Sequence, residues 1–264
     1  MPRDNMASLI QRVARQARLT FRPLGGGNNN GPCFAENLQS LQQLLDKVRA
    51  EDLRLVARGP SAVPGAVQPP ASYMHICETE SFSMGVFVLR AGACIPLHDH
   101  PGMHGLLKVL YGTLRIACFD AAGGDGGGDG EGSSSGSSAA STTGSSTAPS
   151  PKPSSTSPRR YRALLRSHQL YTPASAPCRL SPHTDNLHRI DAVGGPAAFL
   201  DILAPPYDPE HGRDCHYYCL GDGLSLTPDA EHQGLPKEVW LHETPQAPDF
   251  WCGAEPYPGP RVSP

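Results

Sequence analysis

The chain has 264 residues, of which 38% are hydrophobic and 18% charged, and its formal net charge is −3. This length allows one large domain or two small ones, and we expect a single domain over 1–264. The charge balance provides no basic field for nucleic acid or an anionic lipid surface, and no apolar run is long enough to span a membrane.

Eight cysteines are spread along the chain without a CxxC pair and without a secretory signal peptide. Reduced thiols in a cytoplasmic protein are therefore expected. One feature leaves a second compartment open: segment 7–19 is arginine-bearing, nearly free of acidic residues and amphipathic, which is typical of a mitochondrial presequence. An ordinary surface helix is the other interpretation, and the acidic Asp4 favours it.

Two helical patterns, at 7–19 and 36–50, define an expected N-terminal helical segment over 1–50. In the second pattern apolar residues recur at helical spacing: Leu38, Leu41, Leu45 and Val48. The Gly/Asn-rich stretch 25–30 is expected to be a flexible join between the two helices.

From residue 72 onward the pattern changes to short runs of β-forming residues separated by Gly and Pro. The expected strands are 72–77, 84–90, 95–100, 106–111, 114–119, 161–171, 187–192, 197–204, 214–220 and 238–243. Segment 121–158 is almost wholly Gly, Ser, Thr, Ala and Pro, and we expect a disordered insertion within one β-fold. Closely spaced short strands favour an antiparallel sandwich or a small barrel, and 256–260 is expected to be an extended strap.

The most informative motif is His98-Asp99-His100, at the end of an expected strand. Side chains alternate along a strand, so His98 and His100 share one face and Asp99 points to the other. Two imidazoles on one face suit a divalent transition metal, which needs at least one more protein ligand.

The candidates for the third ligand are His104, His168, His183, His188 and His216. His188 is favoured because Leu187 and Ile190 indicate a buried strand, where a histidine needs partners for both ring nitrogens. A core histidine bonded to backbone is the alternative for His188. His104 follows a turn and is expected at the rim, and His183 is a weaker candidate that closes a turn.

The spacing from Gly92 to His98 and His100, followed by Gly112, resembles the first motif of the cupin superfamily. The wider strings resemble the 2-aminoethanethiol (cysteamine) dioxygenases, a thiol dioxygenase family of that superfamily: His-Asp-His-Pro-Gly-Met-His-Gly at 98–105, Asn-Leu-His at 186–188, Leu-Asp-Ile-Leu-Ala-Pro-Pro-Tyr at 200–207 and Arg-Asp-Cys-His-Tyr-Tyr at 213–218. The likeness includes the opening residues and 238–264. It implies a mainly β fold, with a cupin-type antiparallel β-barrel (double-stranded β-helix) and N-terminal helices.

The resemblance also implies one Fe(II) per chain on His98, His100 and His188, with dioxygen as co-substrate. Many cupins supply a glutamate shortly after the histidine pair, whereas this chain has His104 and Gly105, so an all-histidine triad is expected. Neutral imidazoles leave the metal charge uncompensated and favour a thiolate. The implied reaction adds both atoms of dioxygen to the sulfur of cysteamine, or of an N-terminal cysteine of a protein, without a further reductant.

Asp201 is a carboxylate inside the apolar run 199–203, which is costly unless the charge is paired. One interpretation gives it a structural partner, such as an arginine or a ligand histidine. The other is that Asp201 receives the ammonium that cysteamine and an N-terminal cysteine share.

Cys215 and Tyr217 are two residues apart on an expected strand and would share a face. The resemblance implies that such a pair can join as a thioether near the iron, and Asp201, Cys215 and Tyr217 are therefore the candidate catalytic residues. A buried thiol beside a packed phenol is the alternative.

Two rival functions stay open at this point. One is a cupin isomerase or a dioxygenase with a carbon substrate, and the other is a non-enzymatic, metal-stabilised cupin binding module. We expect a monomer.

Overall fold

The computed structural model describes residues 7–22, 33–57, 68–121, 160–221, 226 and 234–264. The predicted join at 25–30 and all of the predicted insertion beyond residue 121 lie outside these ranges. Within them, the helices are α1 (Leu9–Thr20) and α2 (Phe34–Asp46), and the strands are β1 (Ala71–Glu78), β2 (Ser83–Leu89), β3 (Cys94–His98), β4 (His104–Tyr111), β5 (Leu114–Ala121), β6 (Arg160–Tyr171), β7 (Cys178–Leu180), β8 (Leu187–Ala192), β9 (Ala197–Ala204), β10 (Tyr217–Leu220), β11 (Lys237–Thr244) and β12 (Cys252–Ala254).

The strands form two sheets that face each other. The first has the order β12-β1-β2-β9-β4-β7, and the second has the order β10-β11-β6-β5-β8-β3 and closes where β10 meets β3. Neighbouring strands are antiparallel except β1 and β12. The predicted mainly β fold with an antiparallel barrel and N-terminal helices is confirmed.

Helix α1 is an integral part of the packed structure. The Ser8 hydroxyl caps it by accepting the backbone N–H of Gln11, and its apolar face, which includes Ile10 and Val13, is buried in a core shared with α2 and the first sheet. Helix α2 ends earlier than predicted, because the Asp52 carboxylate accepts the Arg49 backbone N–H at 2.8 Å and a separate 3₁₀ turn begins there. No helix in the described ranges has the length and apolar character that a membrane span requires.

The first sheet has a core on each face. Its outer face packs against the helices, and its inner face packs against the second sheet through apolar residues that include Leu107, Phe199 and Ile190. The space between the two sheets also holds the candidate site.

Two strands are shorter than predicted where they border that site. The predicted strand 95–100 ends at His98, and the predicted strand 214–220 begins at Tyr217. Between them the Asp99 carboxylate accepts the His216 backbone N–H at 2.8 Å, while the Asp99 backbone N–H donates to the His216 carbonyl at 3.1 Å. These two bonds draw both segments into a loop-to-loop contact, and the regular strand pairing starts beyond it.

Candidate active site

His98, His100 and His188 converge on one point between the sheets. His98 ends β3 and lies opposite His188 of β8, and His100 follows two residues beyond the strand end. The Nε2 atom of His188 is 3.0 Å from that of His100 and 3.2 Å from that of His98. All three side chains are buried. The prediction from strand alternation placed His100 on the same strand as His98. His100 lies beyond the strand end but still joins His98 in the cluster.

Hydrogen bonds at Nδ1 fix the orientation of two of these rings. The Nδ1 atom of His98 is 2.8 Å from the Pro96 carbonyl, a bond in which the imidazole must be the donor. The Tyr207 hydroxyl donates to the Asp99 carbonyl at 2.8 Å and also lies 2.8 Å from Nδ1 of His100. Since a hydroxyl has a single hydrogen, Nδ1 of His100 is the donor to the Tyr207 oxygen. Both rings then present an unprotonated Nε2 to the cluster.

The three imidazoles are held in their neutral form, which is the form that binds a metal. Burial lowers the pKa of His98, His100 and His188, and for His100 the charges of the other two lower it further. Two nitrogens about 2.1 Å from a metal, at an angle near 90°, are about 3.0 Å apart, close to the 3.0 and 3.2 Å that separate Nε2 of His188 from the other two. The donor set fits a divalent metal bound by three neutral nitrogens, with further positions open.

Asn186 holds the part of the chain that carries His100. Its amide nitrogen donates to the His100 carbonyl at 2.7 Å and to the Ser181 carbonyl at 2.9 Å, and its amide oxygen accepts the His100 backbone N–H at 3.2 Å. These bonds replace the strand pairing that is absent beyond His98. Asn186 had no predicted role, although it opens the string 186–188 that carries part of the family resemblance.

Asp99 points away from the cluster, as the alternation argument predicts. Its carboxylate accepts the Tyr218 hydroxyl at 2.9 Å, and one of its oxygens lies 3.1 Å from Nδ1 of His216. His216 is thereby held on the far side of the chain from the three converging imidazoles.

The other candidate histidines lie elsewhere. His104 packs against the rings of Phe21 and Phe34 beneath the helices, and it is not at the rim as expected. His183 is exposed in a turn, where its backbone N–H donates to the Ser181 hydroxyl. His168 is buried in β6, outside the cluster.

A cavity of about 210 Å³ connects the three imidazoles with Asp201. Asp201 projects from β9 of the first sheet, across from the second-sheet strands that carry His98 and His188. The other lining residues are mostly apolar and include Phe87, Ile95, Leu107, Ile190, Phe199, Leu203 and Phe250. Such a lining lowers the local dielectric and strengthens the interactions of any charge held inside.

The Asp201 carboxyl has no charged partner among the described residues: no arginine or histidine there forms an ion pair or hydrogen bond with it. Burial raises its pKa to about 7, and the backbone N–H of Ile202 opposes that shift. The structural partner that one interpretation of Asp201 requires is therefore absent from this part of the chain.

Cys215, Tyr217 and Tyr207 line the same cavity. Cys215 precedes β10, so the shared strand face predicted for the Cys215–Tyr217 pair is wrong, although both side chains reach the cavity. Burial raises the pKa of the Cys215 thiol to about 11, opposed by hydrogen bonds with the hydroxyls of Tyr207 and Tyr217. Burial, with the neighbouring thiol, raises the pKa of Tyr217 to about 12. Tyr207 had no predicted role, although it ends the string 200–207.

Comparison with known proteins places this geometry in a family. The PCO_ADO family model matches residues 44–262. The chain belongs to the PCO_ADO family. The match spans the three expected metal ligands and the three candidate catalytic residues: His98, His100, His188, Asp201, Cys215 and Tyr217. The resemblance predicted from the sequence is confirmed.

Relatives of this PCO_ADO chain extend the likeness to its full length. It is 55% identical to the 2-aminoethanethiol dioxygenase of Mus musculus and 52% identical to that of Homo sapiens, with complete coverage of each pair of chains. It is 28% identical to plant cysteine oxidase 1 of Arabidopsis thaliana, over 89% of this chain and 76% of the plant protein.

Proposed function

We propose that this PCO_ADO protein is an Fe(II)-dependent thiol dioxygenase. It converts cysteamine to hypotaurine and the N-terminal cysteine of proteins to cysteine sulfinic acid, which would couple protein lifetime to oxygen. The observation that carries the proposal is the convergence of three neutral imidazoles, without a carboxylate among them, in a largely apolar cavity whose opposite wall carries Asp201. The names of the mammalian and plant relatives support the same substrate class.

The Nε2 atoms of His98, His100 and His188 would hold the iron, one per chain. When bound, Fe(II) supplies adjacent positions for a thiolate and dioxygen, so that a thiol and one dioxygen molecule combine to a sulfinic acid. Because the three imidazoles are neutral, they would leave the charge of the ion uncompensated, which would favour a thiolate. The apolar lining holds the reactants in place and keeps water out.

Asp201 would receive the substrate ammonium on the opposite wall. A carboxylate in an apolar cavity without a cationic partner stabilises an incoming ammonium strongly, since the pairing offsets the cost of its burial. The cavity of about 210 Å³ is smaller than the sites of drug-sized ligands, which suits an amine two carbons from a thiol.

We expect the Cys215 sulfur to bond to the Tyr217 ring beside its hydroxyl during turnover. The thiol hydrogen and the ring hydrogen leave as two protons with two electrons, dioxygen takes up both to form hydrogen peroxide, and a thioether remains. Mass spectrometry of the tryptic peptide that contains both residues should show a mass lower by two hydrogens. Cys215→Ala should abolish the decrease, whereas Cys219→Ala, which changes an exposed thiol in the same peptide, should retain it. Active, iron-loaded protein without the decrease would rule out the cross-link.

The direct test of the function is incubation of iron-loaded protein with cysteamine and with a peptide that begins with cysteine, under air. We expect each product to gain two oxygen atoms. A protein that binds iron and is stabilised by it without producing a sulfinate would instead be a binding module. Turnover of a carbon substrate alone would indicate another cupin activity.

We further propose a monomer in the cytoplasm, without a nucleic-acid or membrane partner. All eight cysteines are free thiols, as a reducing compartment requires. The apolar face of α1 is buried against α2 and the first sheet, which favours the interpretation of 7–19 as a helix of the fold over that of a presequence.

A further inference from the structure

A second cavity continues outward from the one that holds the three imidazoles. Its volume is about 450 Å³, and both cavities are lined by Phe87, Asp201, Leu203, Tyr207 and Cys252. A substrate whose thiol lies at the imidazoles and whose ammonium lies at Asp201 can therefore extend into this outer cavity. Cysteamine ends at its ammonium and has nothing to place there, whereas a peptide continues.

A β-bulge in β1 places a carboxylate in the outer cavity. Tyr73 lies on the face of β1 that borders the cavity, and regular alternation would turn residue 78 to the helix side together with Met74. The register shifts between His75 and Cys77, so that Ile76 and Cys77 both pack on the helix side. The shift returns Glu78 to the cavity face, opposite Ser83, which also lines the cavity.

The charge of the outer cavity has one sign. Glu78 and Asp201 are the charged residues in its described lining, and that lining contains no lysine, arginine or histidine. None of the described basic side chains forms an ion pair with Glu78, which is exposed to the cavity and to solvent. A cation bound at Glu78 would meet its carboxylate and no competing positive charge in the described lining.

The distance from Asp201 to Glu78 suits a short peptide. Ser83 of β2 pairs with Glu78 on one side and with Leu203 of β9 on the other, so Glu78 is level with Leu203 and separated from it by two strand spacings. Asp201 is two residues from Leu203 along β9, on the same face. Standard sheet spacings then put the two Cα atoms about 12 Å apart. Two residues of extended chain span about 7 Å, and a lysine or arginine side chain adds a similar reach. A cation on the second or third residue of the peptide can therefore contact Glu78.

We propose that Glu78 forms a subsite for a cationic side chain on one of the two residues that follow the N-terminal cysteine of a peptide substrate. The subsite rests on the proposed thiol dioxygenase activity and adds a specificity that this activity alone does not require. Glu78 is a specificity-determining residue and takes no part in the oxidation itself.

The test compares kcat/KM of the iron-loaded protein for peptides that begin with cysteine and differ only by lysine, glutamine or glutamate at position two or three. We expect lysine to exceed glutamate by roughly three- to tenfold at one of these positions, and less at high salt. Glu78→Gln should remove the preference, and Glu78→Lys should reverse it. Glu80→Gln makes the same change two residues away, at an exposed position outside the cavity lining, and should leave the preference intact. Cysteamine turnover should stay within about twofold in every variant.

The outcomes separate the subsite from the activity on which it rests. Oxidation of cysteamine and of all peptides without a charge preference, or a preference that survives Glu78→Gln, would overturn the subsite alone. Oxidation of no thiol would overturn the proposed function. If Glu78→Gln also loses cysteamine turnover, Ser83→Lys provides the comparison, since it places an ammonium opposite Glu78 and should weaken the preference for lysine.

Discussion

Replacement of His188 by alanine is expected to abolish both iron binding and thiol oxidation. His188 faces both other imidazoles, at 3.0 and 3.2 Å, so its loss leaves two nitrogens that no longer enclose a binding position. Loss of a group that only orients a ligand costs about 10- to 100-fold in metal affinity or activity, and loss of a ligand itself should cost more. The measurements are metal content after iron loading and desalting, and sulfinate formed from cysteamine.

His183→Ala is the matched control, because His183 lies five residues upstream in an exposed turn. This variant should keep its iron and its turnover. A His188→Ala protein that retains iron and oxidises cysteamine at the wild-type rate would remove His188 from the metal site.

Replacement of Asp201 by asparagine is expected to raise KM for cysteamine by about 10- to 100-fold, because a charge-assisted bond to the ammonium in a largely apolar cavity is lost. Iron content should not change, since Asp201 lies on the wall opposite the imidazoles. 2-Mercaptoethanol, which has the thiol without the amine, is the control substrate, and its KM should change little. Loss of iron with an unchanged KM for cysteamine would contradict the ammonium-binding role.

The pKa of about 7 gives the Asp201 prediction a pH dependence. Below that value the carboxyl takes up a proton and no longer attracts the ammonium, while above it the carboxylate does. The ratio of the Asp201→Asn KM to the wild-type KM should therefore rise as pH increases through about 7. A ratio that stays constant across this range would indicate that Asp201 does not bind the amine.

The same substitution should stabilise the metal-free fold. The folded pKa of about 7 lies above the ordinary value of 3.8, so the native state binds its proton more tightly than the unfolded chain does. The resulting stability is complete below pH 3.8 and is lost as pH rises through 7. Asparagine does not ionise, and Asp201→Asn should gain about 2 kcal/mol in free energy of unfolding above pH 7. The upper limit is about 4 kcal/mol, which corresponds to the whole difference between the folded and the ordinary pKa. Urea unfolding at pH 5 and pH 8 measures the difference.

The sequence located the metal-site candidates through local patterns. The His98-x-His100 spacing marked one strand end, and the apolar residues around His188 marked another buried strand. Both strands exist, and their pairing places His98 opposite His188. The strand boundaries were less accurate: β3 ends at His98 because Asp99 and His216 bind each other's backbone, a contact 117 residues apart in sequence.

The residues that sequence reasoning missed depend on such long-range contacts or on a local irregularity. Tyr207 orients His100 across 107 residues, and Asn186 binds the His100 backbone across 86. Glu78 reaches the outer cavity because of a single bulge, which reverses the face that strict alternation assigns to it. The strands β7 and β12 have three residues each, too few to show an alternating pattern.

The central claim is that both atoms of dioxygen are transferred to the substrate sulfur. Its most direct test is turnover of cysteamine by iron-loaded protein under isotopically labelled dioxygen in unlabelled water, followed by mass spectrometry of the product. We predict a sulfinate in which both added oxygen atoms carry the label, and no such product from His188→Ala. A product with one labelled oxygen, a disulfide, or no oxidised thiol would contradict the claim.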